Sequence, residues 1–428
     1  LPFVVFLAVV LPAATASWAA AAESETTWMK VMLEGRKIGH VEHSRTVEAG
    51  KVTTIERMEL TIDRTGTSLT MSVEERSVET TEGRPLAFGA RTRLGDTTTE
   101  VDGRLDDSGE AEVRISTGAR EENRRVPWPE GAVLSEGARL AEERGGLEAG
   151  TTYRVLAFQP SDLVALPMSA RVMGSERVRV DGRRETLIRV EQRIELPGTA
   201  LTVQAWVTPE FDARRVVMPL LGLEMEMIAC SKRCATAPNQ GTDILGQTLV
   251  RSPRALRRRD LDRGLAFEIE LAGEEPPRLP DTSEQSVTSA DDRRHATVRV
   301  DPTPDQPDIT PPDDEDLRAT RWLESDDPDL RKLAQEAIGD TEGAAGRMRR
   351  LEGFVRTYIA DKGLQVGYAS AAETMRTRAG DCTEHALLLA ALGRASGIPT
   401  RVVSGLAYAP GFAGREHVFV PHAWTEAW

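Results

Sequence analysis

From Trp28 to about Val300, apolar and polar residues alternate in short runs. Examples are WMKVMLEG at 28–35, TTIERMELTID at 53–63, LTMSVEERSVE at 69–79, ETLIRVEQRIEL at 185–196, LTVQAWVT at 201–208 and LAFEIEL at 265–271. A period of two with Gly, Asp and Asn between runs predicts antiparallel strands with one solvated face. One stretch, GAVLSEGARLAEERGG at 131–146, breaks the alternation and reads as a helix. The expectation for this region is a large twisted sheet or open β-barrel, continuous or split near residue 150.

After residue 316 the period becomes helical. DDPDLRKLAQEAIG carries a Pro near its start and Asp residues able to cap it, and the next segment spaces Met348, Leu351, Phe354, Val355 and Ile359 three and four apart. SAAETMRTRAG predicts a short helix leading into Gly380, Asp381 and Cys382. CTEHALLLAALGRASG is apolar on most faces, so it should run through a core, stopping at Gly397 with Pro399 just beyond. TRVVSGLAYA and HVFVPHAWTEAW then read as strands, the second with Val418, Val420, His422, Trp424 and Glu426 on one face and Phe419, Pro421, Ala423 and Thr425 on the other. His422 is expected to face a helix packed on that sheet. The class is α+β, with helices on an antiparallel sheet following a larger antiparallel β domain.

The organisation follows from composition. A chain of 428 residues with 40% hydrophobic residues exceeds one ordinary core and calls for two or three domains. Residues 301–316, DPTPDQPDITPPDDED, hold five prolines and seven acidic residues and read as an extended linker. This divides the chain into a β-rich domain at 23–300 and a second domain at 317–428. Asp and Glu outnumber Lys and Arg by 68 to 54, for a net charge of -14, which argues against nucleic acid or acidic lipid as a partner.

The opening LPFVVFLAVVLPAATASWAAAAE is an apolar run ending in small residues, and residues 1–22 read as a secretory signal peptide. A retained N-terminal membrane tether is the alternative. With no initiator Met or basic segment before it, the N-terminus looks trimmed. The expected location is periplasmic or secreted. In such an oxidising compartment Cys230 and Cys234, spaced C-x3-C, most simply form a disulfide and leave Cys382 as the odd thiol. No metal site is read, because neither the Cys pair nor Cys382 with His385 and His422 has a full ligand set. His40 and His43 alternate along a strand without a partner motif and read as surface residues.

Cys382 is the first residue of its predicted helix, with Asp381 as N-cap and Glu384 as the third member of a capping box. Unpaired N–H groups and the helix dipole there favour a thiolate, whereas the Asp381 carboxylate opposes it, and an imidazolium at His422 would tip the balance. In such a pair the imidazole takes the thiol proton, the thiolate attacks an amide carbonyl, and the acyl-enzyme is released to water or an amine. The Cys382 N–H is the first oxyanion donor. His385, three residues on, and Trp424, beside the base, are supporting residues at the site.

The tract from Ala372 to Trp428 resembles the transglutaminase-like superfamily. The matching residues are Gly380, Asp381, Cys382, His385 and Ala386, then Arg394, Gly397, Ile398, Pro399, Arg401 and Gly405, then His422, Ala423, Trp424 and Glu426. The resemblance implies a papain-like core, with Cys382 as nucleophile, His422 as base and an Asp on the next strand as the third triad member. That Asp is expected past Trp428, so the second domain reads as C-terminally incomplete. Glu426, four residues along the strand and about 13 Å from His422, is out of reach of the imidazole. The function implied is cysteine-dependent acyl transfer on peptide or protein amides, by a peptidase, amidase or transglutaminase, with no cofactor. The alternative is a non-catalytic binding or scaffold protein on the same fold. No sequence signature sets the oligomeric state.

Overall fold

In the computed structural model the alternating runs pair into long antiparallel hairpins. It describes residues 23–428 apart from 65–66, 96, 107, 118–119, 197–198, 221–222, 272–278, 283, 291–293, 302–311 and 364–368. The expected signal peptide therefore lies outside the described residues, as does most of the expected linker.

The chain divides into two compact units. The first comprises the chain to Ile62, Thr70–Leu94 and Thr98–Thr242, and the second Asp63–Leu69, Gly95–Thr97 and Asp243–Trp428. The strands of the large sheet are β1 (Glu23–Leu33), β2 (Arg36–Glu48), β3 (Lys51–Arg64), β4 (Thr67–Thr80), β5 (Pro85–Leu94), β6 (Thr97–Leu105), β7 (Glu110–Thr117), β8 (Arg120–Pro127) and β9 (Ala132–Val133). After helix α1 (Ser135–Gly145) come β10 (Thr152–Gln159), β11 (Val164–Val180), β12 (Arg183–Leu196), β13 (Thr199–Val207), β14 (Ala213–Leu220) and β15 (Leu223–Ala229). Among the described residues these form one fifteen-stranded sheet in the order β8 to β1, then β15 to β9. The sheet is continuous across residue 150.

Two meanders thus share a seam. β1 pairs antiparallel with β15, Met29 opposite Ala229, Val31 opposite Met227 and Leu33 opposite Met225. Met29, Val31 and Leu33 are buried on one face, as a period of two requires. The free edges curl toward each other. Phe88, Val101 and Val113 from β5–β7 share a hydrophobic cluster with Ala132, Leu134 and Phe158 from the opposite end, and Trp128 lies 4.4 Å from Phe158 between ring centres.

Helix α1 sits inside this curl and bonds to both halves. The Glu79 carboxylate of β4 accepts the N–H groups of Glu136 at 2.6 Å and Gly137 at 2.9 Å, capping the helix start. Arg45 of β2 donates to both Glu136 oxygens at 2.8 and 2.9 Å, and Gln192 of β12 reaches Glu142 at 3.5 Å. His43 is half-buried inside the curl, its Nδ1 3.4 Å from Glu56, and His40 stacks on Trp28 at 5.9 Å. His43 corrects the surface reading, because curling turns its face of β2 inward, whereas His40 lies on the opposite face.

The second unit holds the short helices and strands that follow: α3 (Ile244–Gln247), β16 (Val250–Arg251), α4 (Arg258–Leu261) and the small sheet of β17 (Leu265–Glu270), β18 (Gln285–Ser289) and β19 (His295–Val300). α2 (Lys232–Ala235) precedes them at the end of the first unit. The end of the expected linker forms a 3-10 turn at Asp314–Asp316, whose first N–H groups are capped by Asp313.

Then come α5 (Pro328–Ile338), α6 (Ala344–Tyr358), α7 (Ala371–Thr377), α8 (Cys382–Ala395), β20 (Thr400–Phe412) and β21 (Arg415–Ala427). α5 starts where its sequence signals a start. Asp327 accepts the N–H of Asp329 at 2.8 Å and of Leu330 at 3.1 Å, with Pro328 next to it. α8 is the core helix, and Leu388, Ala390, Ala391 and Leu392 are fully buried among Leu330 of α5, Leu351 and Val355 of α6 and Ile359 just after it. The chain is β-rich, with a large antiparallel sheet and a C-terminal helical region.

Candidate active site

The cysteine sits where the capping pattern puts it. Asp381 caps α8 by accepting the Thr383 N–H at 2.8 Å, and Glu384 reaches back to accept the Asp381 N–H at 2.9 Å. Cys382 follows as the first helical residue, half-buried and unbridged. The second Glu384 oxygen accepts the Ala369 N–H at 3.1 Å, tying the segment before α7 to the start of α8. Gly380, with φ +155°, is required next to this network, because a Cβ there would run into the Glu384 side chain.

The electrostatics run against an easily formed thiolate. Burial pushes the Cys382 thiol above its ordinary value and the Asp381 carboxylate adds to the shift, while hydrogen bonds from the Ala423 backbone and the Thr383 side chain pull the other way. The Asp381 carboxylate opposes the thiolate as expected, and desolvation, which the sequence does not show, is the larger cause. Burial also lifts Glu384, to about 7, with Asp381 again adding.

β21 lies along α8 with a defined face. The Thr425 hydroxyl donates to the Ala386 carbonyl at 2.9 Å, and the thiol meets the Ala423 backbone. Residues at alternate positions, Ala423 and Thr425, are therefore the ones turned to the helix. His422 and Trp424 lie on the other face, where His422 is exposed and Trp424 is 37% exposed. The sequence grouping of the two faces matches, but the side turned to α8 is the opposite of the one expected for His422. Among the described residues no hydrogen bond joins the His422 ring to Cys382. The structure brings them within one residue in β21, since His422 adjoins the Ala423 backbone that touches the thiol.

Trp424 packs against Gly405 of β20, and a Cβ at Gly405 would come within 2.7 Å of the indole. His385 stays on α8, its Nδ1 2.6 Å from the Asp381 carbonyl. A carbonyl only accepts, so Nδ1 carries the proton and Nε2 is left bare in the neutral ring. His417 is engaged elsewhere, with Nδ1 3.1 Å from the Tyr408 hydroxyl. Glu426 pairs across the strands with Arg401, whose guanidinium lies 4.0 Å from the Trp428 ring centre. Two contributors at the site are backbone groups, of Ala423 and Ala369, and no side-chain pattern announces them. Cys230 and Cys234 are joined as a disulfide, with Cα atoms 5.9 Å apart.

Residues 331–428 match the family model of the transglutaminase-like superfamily. No curated protein matches the chain. Among solved structures, the chain is similar to the β-barrel-like protein of domain of unknown function DUF1849 from Brucella abortus, at 13% identity over 48% of this chain and 95% of that chain, with a TM-score of 0.38. It is also similar to the periplasmic domain of TgpA from Pseudomonas aeruginosa, solved bound to ethylmercury, at 19% identity over 42% of this chain and 84% of that one, with a TM-score of 0.25. No helix of the described residues is long and apolar enough to cross a membrane.

Proposed function

We propose, from the premise that residues 331–428 form a transglutaminase-like domain, that this chain performs cysteine-dependent acyl transfer on peptide or protein amides. The observation that carries the reading is the thiol of Cys382 on the capped first residue of a buried helix, against the strand backbone next to His422. The helices on the β20–β21 hairpin are read as a papain-like core, and the chain as a β-rich domain at 23–300, a linker at 301–316 and this domain at 317–428.

In the proposed reaction the His422 imidazole, which lies on the exposed face of β21, has to swing to the thiol before it removes the proton. The thiolate sulfur bonds to the amide carbonyl carbon, and the Cys382 N–H donates to the oxygen that becomes negative. The imidazolium then protonates the departing amine, and the C–N bond breaks to leave a thioester. Water or a second amine attacks that thioester, restoring the thiol. His385 and Trp424 support the site, and the domain needs no cofactor for this chemistry. We place the protein in the periplasm or outside the cell, with residues 1–22 as its export signal.

A second reading, a non-catalytic binding protein on the same fold, draws on the raised thiol and on the face of β21 that carries His422. Alkylation of Cys382 by iodoacetamide across pH, compared between the wild-type chain and His422→Ala, separates the two. Under the enzymatic reading the substitution moves the pH profile upward and slows the reaction near neutrality. An unchanged profile removes the Cys-His pair and leaves the binding reading.

A further inference from the structure

A cavity of about 380 Å³ opens inside the curled sheet of the first unit, within the range of small-molecule sites. Its apolar wall is built by three buried methionines from three strands, Met29, Met58 and Met227, whose flexible thioethers adapt to linear apolar ligands.

The polar groups around this wall are unevenly signed. Three carboxylates, Glu25, Glu56 and Asp212, line it. Each of the cations has a contact of its own, and the Arg214 charge also acts on Asp212. Arg214 donates to both oxygens of Glu185, at 3.0 and 3.1 Å, and Lys232 stands over the Trp28 ring at 5.0 Å. His43 is held by Glu56. The Asp212 Oδ1 atom is buried and has no hydrogen-bond partner among the described residues. A buried acceptor left unpaired costs free energy that an incoming donor recovers. Thioether surface beside a carboxylate with an unpaired acceptor suits a cation with an apolar tail.

We propose that this cavity is a binding site for a small alkylammonium ligand, its tail against Met29, Met58 and Met227 and its charged head at Asp212. Two physical consequences separate this from general stickiness. Affinity grows with the tail, by about fourfold per added methylene until the cavity is full, since each buried methylene contributes about 0.8 kcal/mol. The charge requirement excludes a carboxylate of equal length.

Equilibrium dialysis of the full chain against n-butyl-, n-hexyl- and n-octylammonium, with 1-hexanol and hexanoate as controls, tests this. The expected result is binding that strengthens from butyl to hexyl, fails for hexanoate and is weaker for hexanol. Asp212→Asn, which keeps the shape of the side chain, should weaken hexylammonium binding about tenfold or more. It should leave the circular dichroism spectrum unchanged. Met58→Phe, with folding checked the same way, should alter the chain-length preference without abolishing binding. Equal binding of hexanol and hexylammonium, an unaffected Asp212→Asn variant, or no bound amine at all would each overturn the assignment.

Discussion

Glu384 and Ala369 are joined across the chain by a hydrogen bond of 3.1 Å in which the Ala369 N–H donates to the side chain at the start of α8. The same carboxylate holds the Asp381 N–H, so one buried residue fixes both the approach to α7 and the turn that presents Cys382. Glu384→Ala leaves both N–H groups without their acceptor. The expected cost is about 2 to 4 kcal/mol in urea unfolding of the full chain, and Glu384→Gln, which keeps an acceptor, should lose less.

Asp381 has two opposed effects on Cys382. Its oxygen caps the helix, and its charge raises the thiol. Asp381→Asn keeps the acceptor for the Thr383 N–H and removes the charge. Alkylation of Cys382 at pH 7.5 should therefore speed up, by roughly threefold or more, with little change in stability. A rate that falls would mean that capping, rather than charge, governs the thiol.

The buried acids around α1 make the large sheet sensitive to pH. Burial lifts Glu79 to about 7 and Glu142 to about 8, from an ordinary value of 4.5. The folded state thus holds these protons more tightly than the unfolded chain does. Their contribution is complete below about pH 4.5 and is lost as pH rises through 7 and 8. The melting transition of the sheet should therefore lie a few degrees higher at pH 6 than at pH 8.5, and Glu142→Gln should reduce the difference. A transition that rises with pH across this window would contradict the assignment.

Gly393 packs tightly against the start of β20. A Cβ at this position would lie 2.7 Å from Thr400 Cγ2 and 3.2 Å from Met348 Sδ. Thr400 is itself fixed, its hydroxyl donating to the Ala390 carbonyl at 2.8 Å and its carbonyl accepting from Arg394. Gly393→Ala should cost about 1 to 3 kcal/mol through overpacking, despite the better helix propensity of alanine, as read by chemical denaturation.

Local signals were legible in the sequence. Asp381 and Glu384 form the capping box because both partners lie within one turn, and Asp327 with Pro328 starts α5 for the same reason. Alternation along β21 grouped His422 with Val418 and Val420 and left Ala423 with Thr425. Which group meets α8 is a tertiary matter, decided by the Thr425 bond to Ala386 and by Leu249 covering Val418 and Val420 on the opposite face. The thiol shows the same limit. A helix start favours a thiolate, but the opposing burial depends on residues far along the chain. The closure of β1 on β15 joins strands whose sequences carry no mark of their pairing.

That closure also orders the assembly of the large sheet. Most neighbours in it are sequential hairpins, which can form as soon as their two strands exist. The seam cannot, because the edge of β1 that faces away from β2 has to wait until Leu223–Ala229 has been synthesised. Until then an alternating strand with one unpaired edge is exposed to other chains. Joining ends so far apart places the step late and makes it slow. A substitution such as Met32→Pro, which removes a ladder donor at the seam, would be felt first as poor yield and aggregation of newly made protein.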